Sequence, residues 1–163
     1  FFLVPDVILS YIGLRRGAKA ATRASFIAAV GASLGGIVMY LWSTNDAATA
    51  REAVLAVPAI SEAMAARAEA AMTQNWFLAT LLGPLTSTPF KLFAILAPHA
   101  GAPLPLFALA AVAARLPRFL IVSIGVSLIG RFLSRWLSER QLIWVLIGAW
   151  LLFYAVFFTR MPN

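Results

Sequence analysis

Apolar residues dominate the 163 positions of this chain, so its organisation is set by the places where charge, proline or glycine interrupts them. The central interruption lies within Asn75 to Gly101, NWFLATLLGPLTSTPFKLFAILAPHAG. Gly83, Pro84 and Pro89 cut a run otherwise apolar enough for lipid, because each proline lacks an N–H and crowds the turn before it. The pattern predicts a helix, a turn and a second helix, with Lys91 just past the turn. Backbone unpaired at membrane depth survives only against protein or a wet cavity. The segment therefore reads as a re-entrant hairpin lining a site.

The stretch from Phe1 to Leu14 is too short to span a bilayer and carries Pro5-Asp6 near its start. It reads as the returning arm of another hairpin whose first arm is missing, in a domain cut from a longer protein. Arg15, Arg16, Lys19 and Arg23 follow, a basic cluster that the positive-inside bias places on the cytosolic side. Ala24 to Trp42 is uncharged for nineteen residues, close to the ~30 Å hydrocarbon core at a helical rise of about 1.5 Å per residue. Gly31-Ala-Ser-Leu-Gly35 and Gly36 predict a smooth face for close packing on a neighbouring helix. The same residues spell G-x-S-x-G, but a nucleophile elbow needs a strand–turn–helix and a histidine base, whereas Ser33 lies in mid-helix.

Ser43 to Gln74 carries Arg51 and Arg67 against Asp46, Glu52, Glu62 and Glu69, two positive charges against four negative. The reversed balance predicts an amphipathic, interfacial segment on the non-cytoplasmic side, with Asp46 and Ser61 as caps and Pro58 as a break. Beyond the central hairpin, Pro98 to Pro105 is a loop, and His99 there reads as a solvated residue or a proton relay. From Leu104 to Gly130 a helix would run ~40 Å with Arg115 and Arg118 near its middle. Charges at that depth require a polar interior or a partner; the alternative is a span beginning at Pro117 with both arginines at an interface. Gln141 to Thr159 is a last uncharged span.

Composition agrees with lipid as the solvent. Hydrophobic residues make up 62% and charged residues 12%, against about 45–50% and about 25% in soluble domains. The absence of cysteine excludes thiolate chemistry, and one histidine cannot build a histidine-based metal site. Neither a paired-carboxylate nor a Ser/His set is present, so no catalytic residue, metal or cofactor is assigned. The net charge of +7 lies beside apolar spans and lacks a basic, aromatic-interleaved motif, which argues against nucleic acid.

With an offset of 84, Pro5 falls on Pro89, Gly13 on Ala97 and Gly17 on Gly101, each stretch being arm, glycine-bearing turn and spanning helix. The basic turn is placed on the cytosolic side and the His99 loop on the other, so the halves would be inverted repeats, the way many transporters build a midplane site. Asp6 and Lys91 would then face each other from opposing tips. The expected fold is an all-α integral membrane domain with about three transmembrane helices and two facing re-entrant hairpins, the first truncated. Its parts are a first half-repeat (1–43), an amphipathic linker (44–74), a second half-repeat (75–133) and a final span (141–159).

GPLTSTPFKLFAILAPHAG, followed by LPLFALAAVAARLPRFLIVSIG, resembles the second half of the DedA/VTT superfamily of the SNARE-associated Golgi protein type, in its short YqaA-like branch. The element Arg115-Leu-Pro-Arg118-Phe119 is similar to that family's R-x-x-R-F, and Asp6 after Pro5 matches an acid in its first hairpin. Lys91 stands where longer members carry arginine in Pro-Gly-x-Arg. The resemblance implies a multi-pass protein of the bacterial cytoplasmic membrane that moves an anionic or zwitterionic lipid, a phospholipid or an undecaprenyl-phosphate-like molecule, between leaflets with proton coupling. It implies a headgroup site of Lys91, Arg115, Arg118, Thr86 and Ser87, with Asp6 exchanging a proton or pairing with Lys91. Membrane lipids are the partners implied, with a homo-oligomer left open. Transport of an ion or small solute through the same cavity, and a non-transporting membrane scaffold, are the other readings.

Overall fold

The computed structural model describes residues 5–58, 60–83 and 88–160. Pro84, Thr86 and Ser87, at the predicted turn, lie outside the described residues. The described chain is helical: α1 Pro5–Asn45, α2 Ala47–Leu55, α3 Glu62–Leu82, α4 Phe90–Leu96, α5 Leu104–Leu133 and α6 Glu139–Arg160. Three of these, α1, α5 and α6, are long and apolar enough to cross a membrane. The architecture is that of an all-α membrane protein. Two compact units divide the chain, one of residues 1–28 and 116–163, the other of residues 29–115.

In the first unit, α1 opens with Pro5, whose missing N–H would be unpaired at a helix start in any case, and with Asp6 in the first turn. The helix breaks at Gly17, where φ is 77° and ψ 178°, a conformation that side chains with a Cβ avoid. The break separates an arm, 5–16, from the longer run, as the glycine-bearing turn in the sequence predicts. The arm packs closely on α5: a Cβ added to Gly13 would lie 2.2 Å from the Ser123 carbonyl oxygen. Ser25 and Ser123 share a buried hydrogen bond of 3.0 Å. Trp150 of α6 donates to the Ser10 hydroxyl at 2.9 Å, and Arg15 pairs with Glu139.

In the second unit, α4 is the hub. Phe90, Leu92, Phe93 and Ile95 are buried together with Val54 of α2, Met72 of α3 and Phe107 of α5. The expected amphipathic segment is two helices. Alpha-2 ends at Leu55, ahead of Pro58, and α3 starts behind a Ser61 cap that accepts from the Met64 N–H at 3.3 Å. Alpha-3 does not stop at Gln74; it continues to Leu82 through a kink at Asn75 (φ −160°, ψ 96°). Alpha-4 begins only at Phe90, so 75–101 is not one continuous helix. The loop after α4 turns at Gly101 with φ 70°, so the positions matched by the offset of 84, Gly17 and Gly101, both have positive φ.

Asp46 caps α2, accepting from the Thr49 N–H at 3.0 Å and the Thr49 hydroxyl at 2.6 Å. The Thr49 side chain first, then its backbone N–H, holds the Asp46 carboxyl below the usual aspartate range. A lowered folded-state pKa means that the cap contributes above the unfolded value of about 3.9 and is lost as pH falls through the folded one. The Thr49 amide resonance is expected to shift only below about pH 4 and to lose that transition in Asp46→Asn; a transition near neutrality would contradict the assignment.

One sequence expectation about helix packing is revised. Gly31 and Gly35 have open space where a Cβ would be, and Gly36 makes the close approach, 2.9 Å from the Phe90 ring. Ser33, three positions before Gly36, donates to the Ala108 carbonyl at 2.9 Å, as a packing residue does. Alpha-5 runs unbroken through Pro117, so Arg115 and Arg118 lie on one continuous helix.

Candidate functional site

Buried ionisable groups are costly in a lipid-facing fold and mark function by default. Asp6 is such a group. It is 0% exposed in the first turn of α1, and its Oδ2 accepts from an Arg118 terminal nitrogen at 2.7 Å. Its Oδ1 is buried with no hydrogen-bond partner among the described residues. Arg118 keeps 47% of its side chain accessible, so the pair joins a dry acid to a base that still reaches the surface of its unit. A carboxylate can accept several hydrogen bonds, and this one is left with acceptor capacity inside the protein.

The surroundings are small and polar. Ser10, one turn beyond Asp6, donates to the Val7 carbonyl at 2.8 Å while receiving the Trp150 indole N–H. Ser25 and Ser123 share a buried hydrogen bond, and the Ser127 hydroxyl is buried with no partner among the described residues. Packing of Gly13 against the Ser123 backbone lets the arm approach α5 closely enough for Asp6 to meet Arg118.

The second unit places another arginine on the matching position of its own arm. Phe90, which follows Pro89 as Asp6 follows Pro5, stacks under the Arg115 guanidinium at 4.2 Å. Planar guanidinium groups favour such faces. Lys91, the next residue, is exposed. Thr86 and Ser87 lie outside the described residues.

Sequence reasoning singled out Asp6, Arg115 and Arg118 but matched Asp6 to Lys91; the partner within its own unit is Arg118. A signal was available, since Asp6 is the single acid in the whole of 1–43 and 75–133. An arginine in mid-helix within those segments has one carboxylate to choose.

His99 is exposed in the loop, with Nε2 3.0 Å from the Ser43 hydroxyl. Ser43 gives its own hydrogen to the Ile95 carbonyl at 2.7 Å, so it receives the proton of His99 Nε2. That contact pins the loop to α1. Among the described residues no group of three or more His, Asp or Glu side chains could hold a metal ion.

No protein-family model matches the chain, and neither a curated protein nor a solved structure does. Fold and site together define the class: an all-α membrane protein with a buried acid paired to an arginine.

Proposed function

We propose that this is a multi-pass transporter of the DedA/VTT type, in the bacterial cytoplasmic membrane, that moves an anionic or zwitterionic lipid between leaflets. The observation that carries the reading is the buried Asp6 carboxylate, held through one oxygen by Arg118 while the other has no partner among the described residues. Such a pair is a two-position device. Protonation of Asp6 weakens its hold on Arg118, and the released guanidinium takes the phosphate of a headgroup, for which its planar fork is suited. Deprotonation reclaims Arg118 and expels the headgroup.

In this reading Arg115 and Lys91 of the second unit, with Thr86 and Ser87, also offer contacts to a headgroup, and each arm is read as part of a re-entrant hairpin. The repeated arm, positive-φ glycine and long helix, with an arginine of α5 at the head of each arm, support an inverted-repeat transporter. The basic cluster from Arg15 to Arg23 would face the cytosol and the segment 43–74 the other side.

In liposomes, purified protein is expected to accelerate transbilayer movement of a labelled phospholipid, and Lys91→Ala to slow it about tenfold, the loss of one charge-assisted contact. A wild-type rate in Lys91→Ala would remove Lys91 from the site. Proton uptake with no lipid movement would favour the ion or solute reading.

A further inference from the structure

A cavity of about 400 Å³ lies in the second unit along α3, and among the described residues none of those assigned to transport, Asp6, Lys91, Arg115 and Arg118, lines it. Its wall changes character along its length. Arg67 stands at one end, Gln74 and Asn75 in the middle, and Leu78, Leu82 and Phe93 at the other. Spaced along one stripe of α3, Arg67 and Leu82 are about 20 Å apart at a helical rise.

The kink at Asn75 is the hinge of this change. The Asn75 side chain accepts from the Leu78 N–H at 3.0 Å, acting as a cap that restarts the helix. Before it, residues 62–74 include Glu62, Arg67 and Glu69; after it, 76–82 reads WFLATLL with no charge and with Phe77, Leu78 and Leu82 exposed. A charged half followed by an exposed aromatic and aliphatic half is the signature of a helix crossing from headgroups into hydrocarbon. The cavity straddles that crossing.

Charge singles out one group. Arg51 holds both nearby carboxylates, Glu62 at 2.9 Å and Glu69 at 3.8 Å. Arg67 is exposed, ties only its Nε to the Ala63 carbonyl at 3.2 Å, and has no ion pair among the described residues. Its terminal nitrogens remain available to an anion, beside side-chain amides and ahead of an apolar groove.

We infer that this cavity is a phospholipid site, with the phosphate on Arg67, the glycerol and ester oxygens at Gln74 and Asn75, and the first part of an acyl chain along Leu78, Leu82 and Phe93. The volume falls in the lower range of ligand pockets, room for a headgroup and a partial chain, with the rest of the lipid in the bilayer. A free phosphate would satisfy Arg67 but leave the apolar half unused. The site is argued from residues of α3 and from Phe93 of α4 and does not depend on the transport reading.

The test is native mass spectrometry of the full chain in neutral detergent, titrated with phosphatidylglycerol. One lipid per chain is expected to be retained most tightly. Arg67→Gln should weaken it about tenfold and Arg67→Lys less, the size expected for one charge-assisted contact. Ala71→Trp, which fills the cavity, should abolish retention, and inorganic phosphate at equal concentration should not displace the lipid. Wild-type retention in Arg67→Gln would overturn the site, and displacement by inorganic phosphate would overturn its assignment to a lipid. Arg67 is exposed, so Arg67→Gln decides the question even where Ala71→Trp fails to fold. A protein that moves no lipid in liposomes yet retains it here would separate this site from transport.

Discussion

Asp6→Asn is expected to reduce transbilayer lipid movement to the protein-free rate while leaving a folded, extractable protein. Asparagine keeps the size of the side chain and an oxygen for Arg118, but it neither ionises nor accepts a proton. The charge-assisted bond to Arg118 becomes an ordinary one, a change of about 1–2 kcal/mol, or about 5- to 30-fold in how firmly Arg118 is held. In the proposed cycle the larger loss is of alternation, because a neutral partner cannot switch between holding and releasing the guanidinium.

Stability should suffer little. Removing one member of a buried pair strands a charge, but in Asp6→Asn the amide oxygen still accepts from Arg118, so the guanidinium keeps a partner. Circular dichroism should show unchanged helix content, so loss of transport would not report misfolding. Exchanging the two residues, Asp6→Arg with Arg118→Asp, separates a transport site from a structural brace. Full activity in the exchanged protein, or a wild-type rate in Asp6→Asn, would make the pair structural and favour the scaffold reading.

Gly13→Ala is expected to be the most damaging single-methyl addition in the first unit. The new Cβ would meet the Ser123 carbonyl oxygen at 2.2 Å and its carbon at 3.2 Å, and both are backbone atoms that cannot rotate away. Forced overpacking costs about 1–3 kcal/mol, against about 1 kcal/mol gained by replacing a helical glycine. The arm must lift from α5, which also pulls Asp6 from Arg118. Gly31→Ala, with open space at its Cβ, takes only the helical gain. Thermal unfolding in detergent should place Gly13→Ala several degrees below wild type and Gly31→Ala at or above it, at about 2–4 °C per kcal/mol. Equal midpoints would mean that the arm is not seated on α5 as described.

The comparison of these two glycines shows what could be foreseen. G-x-x-x-G spacing states that a helix face is smooth; it does not state that another helix lies on it. Gly36 carries the close contact because Phe90 and Phe107 happen to converge there. The same limit applied to Asn75: a polar residue inside an apolar-tending helix is compatible with a continuous turn, and its role as an internal cap depends on the local path of α3.

The helical class, the candidate spans and the breaks near Gly17, Pro58, Gly83 and Gly101 were written in the chain, because they follow from local chemistry. A proline removes a donor, a glycine admits positive φ, and a long uncharged run sets a length, all within a few residues of one another. The choice of Arg118 for Asp6, a contact across 112 residues, was not. Neither was the division of Arg115 and Arg118, three positions apart, between two units. Partners across that separation are selected by how whole helices seat against each other, and no window of sequence contains that register.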